Sequence, residues 1–217
     1  DAGEDQSCHI GKTVYLNGTG SSDTEDAPSG DSQGDILTYV WNLTSKPDGS
    51  AITAGSLTPS DSDARPHFKP DREGLYTFSL AVQDTDGKWS NLGDEDSVSI
   101  TVVNFKPVPD GGNDVTIYLG EPVRLNGTGS TDFEDAPYGD LTGKNLSYDW
   151  NVTLYPPGST VRDSSLKPTD NDSKPSFVPD MVGTYYLTLA VNDSYSKWSN
   201  ESDEDMVTVR VLKVNDP

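Results

Sequence analysis

Several residue types that support chemistry or crosslinking are scarce in this chain of 217 residues. A single cysteine, Cys8, excludes a disulfide within the chain, and we expect its thiol to be free or to pair with another molecule. Two histidines leave little material for a catalytic base or a nitrogen-rich metal site. No apolar run approaches the roughly 20 residues that a membrane-spanning helix needs.

Basic residues are also few. The chain has 15 Lys and Arg against 36 Asp and Glu, which gives a formal net charge of −21 at pH 7. Nucleic acids and anionic membranes would repel a protein of this charge, so we expect neither nucleic-acid binding nor insertion into a membrane. Cations, basic proteins and neutral sugars stay open as partners.

The chain repeats itself. Leu16–Ser21 has the sequence Leu-Asn-Gly-Thr-Gly-Ser, which returns as Leu125–Ser130. The offset is 109 residues, the difference between positions 125 and 16. Trp41 and Trp150 follow the same offset. Because this period has the size of a domain, the sequence predicts two copies of one domain, residues 1–103 and residues 104–217, joined at a segment with two prolines.

Apolar residues alternate with polar ones within each copy. Tyr76, Phe78, Leu80 and Val82 give one such run, and Val98, Ile100 and Val102 give another. Alternation with a period of two predicts strands with one buried face, typical of antiparallel sheets, and clusters of Gly, Pro, Asp and Asn separate the runs. We therefore predict an all-β protein made of two tandem Greek-key immunoglobulin-like β-sandwiches.

The motifs of both copies resemble those of PKD (polycystic kidney disease) domains. In the first copy they are Leu16–Ser21, Tyr39 with Trp41, and the run from Gly74 to Asp84. The segment Ser45–Ser50 resembles a PKD-like subgroup with a longer middle loop. The resemblance covers both copies. It implies an immunoglobulin-like sandwich that occurs in strings on secreted and cell-surface proteins.

Acidic residues recur at equivalent places in the two copies. Asp23, Glu25 and Asp26 lie in one loop of the first copy, and Asp84 ends a strand that can bring it to the same end of a sandwich. Clustered carboxylates repel one another, and Ca2+, which accepts 6–8 oxygen ligands, relieves that repulsion. The other interpretation is a solvated acidic loop that binds nothing.

The resemblance to PKD domains adds a ligand set for Ca2+ in the second copy. It implies an Asn of the linker, the acidic loop and the Asp after the sixth strand. In this sequence these are Asn104, Asp132, Glu134 or Asp135, and Asp193. We expect the second site to be the tighter one, because the equivalent of Asn104 for the first copy would precede Asp1.

Two further duplicated features are weaker signals. Asp94–Asp96 and Asp203–Asp205 are interpreted as sheet-edge charges that oppose edge-to-edge pairing. Trp89 and Trp198 each follow the loop after the sixth strand. Each indole is interpreted as packed over the end of its sandwich, or alternatively as a platform on which a glycan stacks.

These patterns contain no set of catalytic residues. His9 aligns with Tyr118 and His67 with Ser176, so neither histidine is duplicated, and we expect no enzyme activity. The favoured function is a secreted or cell-surface spacer or adhesion segment that Ca2+ stiffens near the joint. Its partners would be neighbouring modules, a surface protein or a polysaccharide. The alternatives are a subunit of a self-assembling surface layer or filament, and a carbohydrate-binding part of a secreted degradative enzyme.

Overall fold

The computed structural model describes residues 1–23, 37–90, 95–134, 146–199 and 204–214. Their regular structure consists of β-strands and two single-turn 3-10 helices, Ala54–Ser56 and Asp163–Ser165. The chain divides into a first unit, Asp1–Asn104, and a second unit, Phe105–Pro217. The structural division thus lies one residue after the end of the predicted first domain.

The first unit has six strands in the part of the chain that the structure describes. They are β1 (Gln6–His9), β2 (Val14–Tyr15), β3 (Thr38–Ser45), β4 (His67–Phe68), β5 (Gly74–Gln83) and β6 (Asp96–Val103). Four of them form a sheet in the order β1-β6-β5-β3, and β2 pairs with β4 in a second, short sheet.

The second unit repeats this arrangement. Its described strands are β7 (Val115–Tyr118), β8 (Val123–Arg124), β9 (Ser147–Leu154), β10 (Ser176–Phe177), β11 (Gly183–Asn192) and β12 (Asp205–Leu212). The sheet order β7-β12-β11-β9 and the pair β10-β8 match the first unit strand for strand. Each unit is an immunoglobulin-like β-sandwich, as the alternation of apolar residues predicts.

One pairing differs from the antiparallel pattern that this alternation indicates. Strand β1 runs parallel to β6, with Gln6 opposite Ile100, and β7 runs parallel to β12 in the same way. Alternation along a strand records which face is buried and does not record the direction of the neighbouring strand. The parallel pairing joins the first and last strands of each unit, which are far apart in sequence.

The core of each unit is centred on a tryptophan. Trp41 on β3 and Trp150 on β9 are both fully buried, and their neighbours on β5 and β11 alternate inward as predicted. Gly18 lies against this core. A Cβ added there would stand 2.8 Å from Leu80 Cδ2 and 3.2 Å from the Trp41 ring, so the close approach requires glycine.

A buried tyrosine ties two loops together in each unit. The Tyr185 hydroxyl donates to the Met181 carbonyl at 3.2 Å and accepts from the Met181 amide at 3.1 Å. Asp180 accepts a hydrogen bond from Ser159 at 2.5 Å, and this bond, together with those from Thr160, lowers the pKa of Asp180. Tyr76, Asp71 and Ser50 make the equivalent network in the first unit. These bonds place Tyr76 and Tyr185 at the corner that the immunoglobulin-like pattern predicts.

The interpretation of Asp96 and Asp205 as edge charges was wrong. Asp96 Oδ2 accepts a hydrogen bond from the Ala2 amide at 2.8 Å, and Asp205 Oδ2 accepts one from the Gly111 amide at 2.7 Å. The bond from Ala2 is the main reason that the pKa of Asp96 is lowered. The two carboxylates therefore anchor the start of each unit. Asp94 and Asp203 lie outside the described residues.

Candidate functional site

The fold brings together two of the acidic residues predicted as ligands in the first unit. Asp23 and Asp84 line the same cleft, at the end of β5, and both are partly buried. Glu25 and Asp26, the other two predicted ligands of this unit, lie outside the described residues. Two carboxylates on separate loops thus converge on one cleft.

A tight turn holds Asp84. Its amide donates to the Lys88 carbonyl at 3.0 Å, and its Oδ1 accepts from the Lys88 amide at 2.7 Å. Gly87 supports the turn with a φ of +82°, a region that glycine enters without strain. The same carboxylate thus closes a turn and lines the cleft.

The equivalents of Asp23 and Asp84 in the second unit are more deeply buried. Asp132, Glu134 and Asp193 are 3%, 6% and 4% exposed. Asp193 Oδ1 accepts hydrogen bonds from the Lys197 amide at 2.6 Å and the Tyr195 amide at 2.9 Å. Asp132 Oδ1 accepts one from the Glu134 amide at 2.8 Å. Carboxylates this far from water carry a desolvation cost that hydrogen bonds or a bound cation must offset.

The acidic loop of the second unit is covered by the segment that precedes it in the chain. The Phe105 amide donates to Glu134 Oε1 at 2.9 Å. The Phe105 and Phe133 rings meet edge to face, with centroids 5.5 Å apart and an interplanar angle of 86°. Val108 and Thr131 exchange two main-chain hydrogen bonds of 2.7 and 2.9 Å.

Sequence reasoning missed this cover. The signal available was that Phe133 has no aromatic counterpart in the first copy, where Thr24 occupies the equivalent position. Asn104, predicted as a linker ligand, is buried and ends the first unit. Asp135 lies outside the described residues.

Among the residues that the structure describes, no three His, Cys, Asp or Glu side chains gather closely enough to form a metal site by themselves. A cation at either acidic loop would therefore need other oxygen atoms as well. Amide and main-chain carbonyl oxygens are ligands that Ca2+ accepts alongside carboxylates. The donor set at both loops is made of oxygen atoms, which suits a hard cation.

The two tryptophans predicted as packed or glycan-stacking are half exposed. Trp89 and Trp198 each expose 46% of their surface, whereas Trp41 and Trp150 expose none. Trp89 lines the cleft that contains Asp23 and Asp84. Neither indole is therefore a core side chain.

Two other residues considered for chemistry, Cys8 and His67, belong to the first unit. Cys8 is partly buried on β1, and this burial raises the pKa of its thiol, which lowers the fraction of reactive thiolate. The His67 ring packs against Tyr15 with centroids 5.1 Å apart. Within the described residues no helix is long and apolar enough to cross a membrane.

A family model matches the first of these sandwiches. The model of the K319L-like PKD domain matches residues 2–102, just under half of the chain. The first unit is similar to PKD domains along nearly its whole length. This confirms the resemblance seen in the motifs, and the second unit shares the strand order of the first.

Known proteins with PKD domains are similar to this chain. The mouse (Mus musculus) dyslexia-associated protein KIAA0319-like is 27% identical in an alignment of 185 residues that covers 82% of this chain and 15% of that protein. The solution structure of the PKD domain from the KIAA 1837 protein is 26% identical, with a TM-score of 0.37, over 53% of this chain and 95% of that one. The solution structure of the PKD domain of human KIAA0319 is 17% identical, with a TM-score of 0.39, over 52% of this chain and 86% of that one.

Proposed function

We propose that this pair of PKD-like domains is a non-catalytic extracellular module that serves as a spacer or adhesion segment and binds Ca2+ at its acidic loops. The match of the first unit to the PKD-domain model and the similarity to the KIAA0319-like protein support a non-catalytic module. The same two findings support a location outside the cell, secreted or at the cell surface.

The observation that carries the Ca2+ proposal is the burial of three carboxylates in the second unit. Asp132, Glu134 and Asp193 are each more than nine-tenths buried. Bringing negative charges out of water is costly, and like charges on neighbouring loops repel one another. A divalent cation among oxygen ligands offsets both costs.

The proposed ligands follow from this burial and from the resemblance. In the second unit the candidates are Asp132, Glu134 and Asp193, which do not gather closely enough to hold an ion by themselves, so amide or main-chain oxygens would complete the site. In the first unit they are Asp23 and Asp84, which share one cleft. Four other residues stay predictions as ligands: Glu25, Asp26, Asn104 and Asp135.

Bound Ca2+ would act by stiffening a segment of the chain. Phe105 and Val108 are hydrogen-bonded to the acidic loop at Glu134 and Thr131. A cation that orders this loop would also order the segment bonded to it. We therefore propose that Ca2+ stiffens the joint between the two modules.

The test compares the whole chain in Ca2+ and in chelator. A ligand that binds only the native state raises the melting temperature, and the stabilisation grows with the logarithm of the ratio of ligand concentration to Kd. We expect a higher melting temperature in Ca2+ and a narrower distribution of dimensions by small-angle X-ray scattering. Identical melting and identical scattering in the two buffers would refute the proposal.

A further inference from the structure

The cleft in the first unit has the size and lining of a small-ligand site. Its volume is about 440 Å3, within the range of roughly 300–1,000 Å3 typical of ligand pockets. Its lining combines one aromatic side chain with charged and hydroxyl groups, and includes Asp23, Asp84, Lys88, Trp89, Ser22 and Ser90.

The backbone that carries Trp89 is held in place by the strand beside it. The Ser90 amide donates to the Val82 carbonyl at 2.8 Å, and Ser90 Oγ accepts from the Val82 amide at 3.2 Å. Trp89 itself forms an isolated β-bridge with Gln83. The backbone that carries the half-exposed indole is therefore positioned before any ligand arrives, which reduces the entropy lost on binding.

These groups match the chemistry of a neutral sugar. An indole buries the apolar face of a pyranose ring, while carboxylates accept and ammonium and hydroxyl groups donate hydrogen bonds to sugar hydroxyls. Two carboxylates against one lysine leave the cleft negative, which disfavours uronic and sialic acids. We propose that this cleft binds a neutral pyranose glycan, with Trp89 as the stacking platform and Asp23 and Asp84 as hydrogen-bond acceptors.

The second unit supplies a matched control. Trp198 is exposed to the same extent as Trp89, 46% in both cases, and follows an equivalent turn. The four residues equivalent to Asp23, Leu37, Val82 and Asp84 are all buried, namely Asp132, Leu146, Val191 and Asp193. A glycan at Trp198 would thus lack exposed carboxylates beside the indole.

The experiment titrates the whole chain with cellohexaose, mannohexaose and N-acetylchitohexaose, with hexagalacturonate as the acidic comparison. Binding is followed by calorimetry and tryptophan fluorescence, in Ca2+ and in chelator. In chelator, where no Ca2+ can occupy Asp23 and Asp84, we expect at least one neutral oligosaccharide to bind and hexagalacturonate not to bind. Trp89→Ala should weaken binding by about tenfold or more in chelator, which corresponds to about 1.4 kcal/mol, whereas Trp198→Ala should leave it unchanged.

A second substitution separates stacking from folding. Trp89→Phe keeps an aromatic ring and should keep most of the affinity that Trp89→Ala loses, while thermal melting checks that both variants fold. Failure of all three neutral oligosaccharides to bind would overturn the proposal, as would greater loss in Trp198→Ala than in Trp89→Ala. Because the titration is also run in chelator, this result is independent of the Ca2+ proposal, which a separate Ca2+ titration decides.

Discussion

The main-chain amide of Phe105 donates a 2.9 Å hydrogen bond to Oε1 of Glu134, a carboxylate that is nine-tenths buried in the same unit. This bond joins the beginning of the second unit to its acidic loop. It also fixes one oxygen of Glu134, so the main chain orients this carboxylate. The loop and the segment that covers it therefore act as one structural element.

Substitution of Glu134 by glutamine should weaken Ca2+ binding by about tenfold or more, because glutamine can still accept the Phe105 hydrogen bond but lacks the charge. Calorimetric titration of the whole chain measures the affinity. Glu95→Gln is the control, since Glu95 is an exposed residue of the first unit. Equal affinities for Glu134→Gln and the unsubstituted protein would show that Glu134 is not a ligand.

The two units should bind Ca2+ with different affinities. Asp132 is buried and lies in the loop that Phe105 covers, whereas its counterpart Asp23 is only partly buried. Stronger electrostatic attraction in the less hydrated site favours tighter binding there. Calorimetry should show that Asp132→Asn removes the tighter binding event and that Asp23→Asn removes the weaker one. The reverse assignment would contradict this prediction.

The free energy of unfolding should fall in acid because of Asp71 and Asp180, the two carboxylates that are hydrogen-bonded to the buried tyrosines. In the folded state the pKa of Asp180 is lowered by hydrogen bonds from Ser159 and Thr160. Burial opposes ionisation of Asp71, but hydrogen bonds from Ser50, Ala51 and Tyr76 outweigh it and lower its pKa. Because the pKa of each carboxyl group is lower in the folded state than in the unfolded state, each one stabilises the folded protein above the unfolded pKa of about 3.9. This stabilisation is lost as the pH falls through the folded pKa.

This pH dependence can be assigned to one residue with Asp180→Asn. Because Asp180 is exposed and solvent screens its charge, we expect a loss of about 1 kcal/mol or less in the free energy of unfolding at pH 7. The difference from the unsubstituted protein should shrink as the pH falls below the unfolded pKa of about 3.9, because the unfolded carboxyl group then takes up a proton while the folded one still resists protonation. Urea unfolding at pH 7 and in acid measures both values. Asp48→Asn, at an exposed turn position, should show neither effect.

The first core should not accept a side chain at Gly18. A Cβ there would stand 2.8 Å from Leu80 and 3.1 Å from Tyr39, both buried, so Gly18→Ala forces neighbours to move and should cost about 1–3 kcal/mol of unfolding free energy. Gly55→Ala is the matched control, because its nearest neighbour is Thr53 Oγ1 at 3.6 Å. Urea unfolding should show a large loss in the first variant and little change or a small gain in the second.

The amino-acid sequence alone determined the repeat, the all-β class and the cores. Alternation with period two is a local property, so it identified β5 and β6 and the buried faces around Trp41 and Trp150. The same local patterns did not reveal that β1 pairs parallel to β6, because strand direction depends on contacts between distant parts of the chain.

Only the tertiary structure decided how the two acidic loops differ. Asp23 and Asp132 occupy equivalent positions of one repeat, so sequence reasoning treated them alike except for the linker residue Asn104. The structure shows that Phe105 and Phe133 pack beside the second loop and that Asp132 is buried while Asp23 lines an open cleft. Burial is set by what the rest of the chain places around a side chain, and identical residues in a repeat can therefore experience different electrostatics.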